Sequence, residues 1–238
     1  MAILRYTASA DNTITNAFEA NLETRGTGSN MGYADALEVF SIYGQESGSN
    51  GQSQELSRIL IEFPIDTVAA DRTAGTIPAS GSVSFYFKMF NAETPWTLPQ
   101  DFTLTVAPVS QSWNEGTGLD MDNYQDLGTS NWMKANSTTS WTNVGGDYLT
   151  ASNFNTRFPL GFGNLEIDVT SLVEKWITGS AGGQFDNYGF GVHLTASQEA
   201  YFSSSLGTDS GSVIQNVSGA TQSYYTKKFF ARSTEFFF

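Results

Sequence analysis

The feature that most constrains this chain is the return of an apolar side chain at every second position, a period that suits a strand with one face on a core. In Ser57–Ile65, residues Ile59, Ile61, Phe63 and Ile65 share a face; in Val83–Phe90, Val83, Phe85, Phe87 and Met89 alternate with Ser84, Tyr86 and Lys88. Phe102, Leu104 and Val106 repeat the pattern, as do Tyr188, Phe190, Val192 and Leu194. The second face of that last run carries Gly189, Gly191 and His193, and a face so nearly bare predicts a backbone or an aromatic ring packed closely against it. Loops rich in Gly, Ser, Asn and Thr, such as Gly26–Asn30, Glu46–Gln54 and Asn143–Asp147, separate these runs and are too short to be domain linkers. One helix is expected, over Ser171–Ile177, where Leu172, Val173, Trp176 and Ile177 form an apolar stripe and Ser171 and Glu174 have capping-box spacing. The pattern predicts one all-β, antiparallel sandwich domain over residues 1–238.

Charge narrows the partners. The 24 acidic and 11 basic residues give a net charge of −13, and Lys227-Lys228 is the one basic pair, so neither nucleic acid nor an anionic membrane is an expected partner. Charged residues make up only 15% of the chain against 14% aromatics, so Ser, Thr, Asn, Gln and Gly must cover much of the surface. Cysteine is absent, which removes disulfides and thiolate metal sites. The first residues lack the apolar stretch of a signal peptide and no run approaches a membrane span, so synthesis in the cytoplasm without secretion is expected.

The supply of reactive groups is thin. His193 is the only histidine, no Gly-x-Ser-x-Gly elbow is present, and a structural role for His193 is expected. Asp120, Asp122, Asn123 and Asp126 form an oxygen-rich loop that is a weak calcium candidate, set against a plain solvated acidic loop; Gln125 and Asn131 stand where an EF-hand needs Gly and Glu. Glu115 and Asp120 have the residue types of a glycosidase pair, but spacing along a loop says nothing about distance. No cofactor and no catalytic residue is expected. Trp96, Trp132 and Trp141 lie in loop-like contexts, where they either stack on sugar rings or close the core beneath the loops.

The order of elements resembles a known family. An opening strand with a Gly/Ser/Asn loop (Ala8–Tyr33) is followed by Ser57-Arg-Ile-Leu-Ile-Glu-Phe-Pro-Ile65, the long strand Val83–Phe90, Ser112-Trp-Asn-Glu-Gly-Thr-Gly118, Leu165-Glu-Ile-Asp-Val-Thr-Ser-Leu-Val-Glu-Lys-Trp176 and Asn187-Tyr-Gly-Phe-Gly-Val192. This succession resembles the DNRLRE-type, carbohydrate-binding-module-like jelly roll, most specifically at Trp113, Glu115, Gly116 and across Asp168–Trp176. The resemblance implies a jelly-roll sandwich in which Trp113 and Trp176 close the two ends of the core. Arg58 either pins a loop through its five donors or lies at the surface.

The last segment, residues 224–238, is similar to a stretch of phage virion structural proteins built on this jelly roll, where one more strand follows. That leaves a partial chain, a processed one, or an edge completed by a neighbour's strand. The resemblance implies a head-decoration, neck or tail protein of a virion, acting through contacts with its own copies and other virion proteins. The expected interface residues are Tyr224, Tyr225, Phe229, Phe230, Phe236, Phe237 and Phe238. The alternative is a lectin-like carbohydrate-binding module on a surface or tail fibre, binding glycan through Trp96, Trp132 or Trp141; a polysaccharide-degrading enzyme comes third.

Overall fold

The computed structural model describes residues 3–43, 54–94, 100–119, 129–179, 186–199 and 225–234. Along them run β1 (Ala10–Thr15), β2 (Ala36–Tyr43), β3 (Gln54–Glu62), α1 (Ile65–Thr73), β4 (Tyr86–Met89), β5 (Asn91–Ala92) and β6 (Phe102–Pro108). After a short 3-10 turn come β7 (Phe154–Phe158), β8 (Leu165–Asp168), α2 (Thr170–Thr178), β9 (Phe190–Leu194), α3 (Ala196–Glu199) and β10 (Tyr225–Phe230). Seven strands lie in the order β5-β10-β2-β3-β9-β6-β7 with β1 joined to β3, and β4 pairs separately with β8. Every one of these pairings is antiparallel, so the body is mainly antiparallel β-sheet.

β3 organises the sheet. Its Ser57 pairs with both Thr15 of β1 and Phe40 of β2, and its Ile59–Ile61 stretch pairs with both β1 and β9, so β2 and β9 share the edge opposite β1. β2 therefore leaves β3 where β9 begins, and hydroxyls take over from ladder partners there. Phe40 N–H donates to Ser57 Oγ at 2.9 Å, Ser57 Oγ donates to the Glu38 carbonyl at 2.8 Å, and Glu38 N–H donates to Thr13 Oγ1 at 3.1 Å. A strand can turn a corner inside a protein only if its main-chain polar groups stay satisfied, and these two side chains meet that need as the sheet curls.

Both faces of β3 are covered. Ile59 and Ile61 enter a large core with Leu37, Leu104, Val106, Phe87, Met89, Leu165, Phe190, Val192 and Phe229. Leu56 and Leu60 enter a second cluster with Ile14, Val109, Trp113, Trp132, Ala135 and Trp141. A strand buried on both faces reads as near-continuous apolar sequence, which is the character of Leu56–Ile61 apart from Ser57 and Arg58. Trp113 and Trp176 consequently lie on opposite faces of the sheet rather than at two ends of one core. Trp113 Nε1 donates to the Tyr188 carbonyl at 2.9 Å, and the Trp176 ring meets Phe190 edge to face at 5.0 Å.

Three local expectations are corrected. The strand expected to reach Ile65 ends at Glu62, because Pro64 opens α1 and a proline cannot donate to a ladder. The strand expected over Val83–Phe90 is confined to Tyr86–Met89, where Phe87 and Met89 point inward and Tyr86 and Lys88 outward. The capping box does not form: α2 starts at Thr170 with no side-chain cap, and Glu174 instead receives Arg72 of α1 in two hydrogen bonds of 2.5 and 2.8 Å. Of the expected stripe, α2 buries Leu172, Val173 and Trp176 and partly buries Ile177, and the helix ends on Gly179 in the left-handed conformation.

The bare face of β9 is occupied as its glycines predict. A Cβ on Gly191 would stand 2.0 Å from the Tyr148 ring, and one on Gly189, whose φ is +78°, would stand 2.2 Å from the Ile61 carbonyl oxygen. Gly191→Ala should therefore displace Tyr148 and lower stability by about 1–3 kcal/mol, the usual cost of overpacking, as a shift in the urea unfolding midpoint.

Candidate functional site

The second face of the sheet holds a buried polar centre on Arg58. Its Nε and Nη2 donate to Glu199 Oε1 and Oε2 at 3.0 and 2.6 Å, and Nη1 donates to the Gly145 carbonyl at 2.9 Å. The guanidinium carbon also lies 5.2 Å from the Trp132 ring centroid and 5.7 Å from that of Tyr148. Such a two-pronged, ring-flanked pairing uses the planar fork that only arginine has. Arg58 thus takes the pinning role: it holds the Gly145 loop and the short helix carrying Glu199 to β3. Tyr148 Oη donates to the same Gly145 carbonyl at 2.7 Å, and burial pushes its phenol up to about 12, so it stays neutral.

His193 borders this centre. Its ring lies 5.2 Å from Tyr148, and Nδ1 is 2.6 Å from the Leu194 carbonyl oxygen, to which a protonated Nδ1 donates. Burial lowers the imidazole below its ordinary range, favouring the neutral ring. The geometry gives these groups a holding task, with every Arg58 nitrogen turned to a partner on the protein. Among the described residues no three His, Cys, Asp or Glu side chains converge in a way that would hold a metal ion.

A second charged cluster joins the segment after β10 to the start of the chain. Arg232 N–H donates to Asp11 Oδ2 at 2.7 Å, while its guanidinium reaches Glu115 through Nε at 3.1 Å and Nη2 at 2.5 Å. Glu115 Oε1 also accepts the Asp11 N–H at 2.7 Å. Glu115, the residue type of a glycosidase acid, is here a clasp between β1 and the C-terminal strand; Asp120, its expected counterpart, lies outside the described residues, as do Asp122, Asn123 and Asp126. Asp11 is 1% exposed, and burial pushes its carboxyl up from 3.8 to about 6 against the lowering influence of Arg232.

Of the expected interface and stacking residues, Tyr225, Phe229, Phe230, Trp132 and Trp141 lie among the described residues. Tyr225 and Phe229 point into the large core, with Phe229 fully buried and Tyr225 stacked edge to face on Phe102 at 6.0 Å, so neither offers a surface to a neighbour. Phe230 faces the other way and is half-buried. Tyr224, Phe236, Phe237, Phe238 and Trp96 lie outside the described residues. Trp132 is 0% exposed and Trp141 is buried with its Nε1 donating to the Asn131 carbonyl at 2.8 Å, so neither presents a ring face to a sugar.

An edge that sequence reasoning missed is apolar and open. Tyr86 and Phe90 are 58% and 51% exposed, and Leu160 and Phe162, in the connection from β7 to β8, are 56% and 65% exposed. The Asn164 side chain ties the two segments, accepting the Asn91 N–H on Oδ1 at 2.9 Å, and the Phe90 carbonyl accepts the Phe230 N–H of β10 at 3.0 Å. Lys88, between Tyr86 and Phe90, pairs with Glu166 across the β4–β8 ladder at 2.7 Å. The edge is therefore apolar side chains beside an exposed ion pair, next to the C-terminal strand.

No known protein family, no curated protein and no solved structure matches the chain. No helix among the described residues is long and apolar enough to cross a membrane.

Two measurements check this geometry. Glu199→Ala strands the buried Arg58 charge and should cost about 3–5 kcal/mol in urea unfolding, much of it recovered when Arg58→Met is added. For Asp11, a folded value raised from 3.8 to about 6 means that the native chain binds more protons than the unfolded chain between those values. Stability then falls as pH rises through that window. Wild type should lose ground to Asp11→Asn from about pH 4 to about pH 6, in paired unfolding curves, and a constant difference would contradict the assignment.

Proposed function

We propose that this chain is a structural component of a bacteriophage virion, in the head decoration, neck or tail, built on a jelly-roll-type sandwich and acting by contact with its own copies and with other virion proteins. The observation that carries the reading is the exposed apolar edge of Tyr86, Phe90, Leu160 and Phe162. Scattered surface hydrophobics are ordinary, but four large ones on neighbouring segments, with a flanking ion pair, have the make-up of an interface centre and its rim. The polar groups in the described residues support the same reading, because Arg58, Glu199, Glu115 and Arg232 are engaged in tying loops and the C-terminal strand to the sheet. A particle component needs that kind of bracing, since contact surfaces repeated around a symmetric shell must each hold one shape. Localisation to the virion and synthesis in the host cytoplasm are part of this proposal.

Sedimentation velocity across a concentration series tests it. Wild type should self-associate, and Phe90→Glu with Phe162→Glu should weaken association at least about tenfold, the effect of losing more than about 1.4 kcal/mol from an interface. A wild-type chain that stays monomeric at every concentration overturns the reading.

A further inference from the structure

The inward face of β10 contains a lysine. Tyr225 and Phe229 on that face belong to the large core, and Lys227 between them is 1% exposed. Its stem and ammonium lie among aromatics, with Nζ 4.9 Å from the Phe158 ring centroid and 5.3 Å from that of Phe229. Among the described residues no carboxylate is within ion-pair distance of Nζ. What Nζ does meet is a carboxamide: it donates to Asn91 Oδ1 on β5 and, at 3.5 Å, to the Gly161 carbonyl. Burial lowers the ammonium from 10.5 to about 8, so a large fraction is the free amine in mildly alkaline solution.

The ladder sets this meeting. Asn91 pairs with Phe229, which makes Lys227 its diagonal neighbour on the same face, a distance that a long side chain spans. Asn91 is held from behind by its own N–H bond to Asn164 Oδ1. A desolvated lysine in an apolar pocket is an activated nucleophile, and its electrophile here is fixed within reach, with Cγ one carbonyl bond, about 1.2 Å, beyond the oxygen that Nζ touches.

We propose that Lys227 and Asn91 join in an intramolecular isopeptide bond that fastens the C-terminal strand β10 to β5. The Nζ lone pair adds to Asn91 Cγ and the new Cγ–Nζ bond forms. The Cγ–Nδ2 bond breaks, Nδ2 takes up the proton released by Nζ, and ammonia leaves. No oxidant or cofactor is consumed, and the product is a neutral secondary amide in place of a buried cation, which removes the cost of keeping that charge in the core. The bond gives a chain without cysteine a covalent staple that does not depend on redox conditions.

The test is intact-mass spectrometry of the full chain, denatured after incubation at mildly alkaline pH, followed by tryptic mapping. Wild type should be lighter than its sequence by one ammonia, and mapping should yield a branched peptide joining Asn91 to Lys227. Lys227→Arg and Asn91→Ala should both keep the full mass. A folded wild type at full mass overturns the proposal. So does an ammonia loss in wild type that maps to no branched peptide, because a succinimide at Asn50-Gly51 gives the same mass change. The branched peptide is read in wild type, so the outcome does not depend on whether either variant folds.

Discussion

Arg58 sits in the middle of a strand that is covered on both faces and paired on both edges, and its charge is the condition that the surrounding loops must satisfy. A buried guanidinium is tolerable only when its donors are taken up. Here Glu199 and the Gly145 carbonyl take them, with Trp132 and Tyr148 as flanking rings. The loop around Gly145 and the helix at Glu199 therefore gain one position each relative to β3. Tyr148, held over Gly191, carries that order on to β9.

A comparable arrangement appears at the other end of the chain. β10 is held by β2 along its length, by β5 at two residues, and by Arg232 reaching back to Asp11 and Glu115. Strand pairing, a charged clasp and the Lys227–Asn91 contact converge on one short strand. That concentration of bonds fixes β10 beside the edge on which Phe90 and Phe162 are exposed.

Much of the sheet was legible because period-2 alternation is a direct print of burial: Phe87 and Met89, Phe102 and Leu104, Phe190 and Val192 all point inward as their spacing predicts. The stripe of α2 was legible for the corresponding reason at helical spacing. α1 was not, since only Ile65 and Val68 of its nine residues are buried and no stripe results. β1 falls within the opening strand and loop expected over Ala8–Tyr33, though its periodicity is faint, because Asn12, Thr13 and Thr15 are buried with side chains that serve backbone and neighbouring groups. β10 misled in the opposite sense: Lys227 in an inward register breaks the apolar alternation of Tyr225 and Phe229, and the aromatics then look like surface. Trp132 and Trp141 do lie in loops, but those loops fold over the second face of the sheet and make a core there. The pairing of Arg58 with Glu199 spans 141 positions and leaves no local trace.

The proposal that the exposed edge makes contacts within a phage particle is tested most directly by a residue-resolution density map of intact particles purified from cells that produce this chain. Repeated, symmetry-related copies with Tyr86, Phe90, Leu160 and Phe162 buried against a neighbouring subunit are the expected result. Particles that lack the chain, or that carry it with this edge facing solvent, would contradict it.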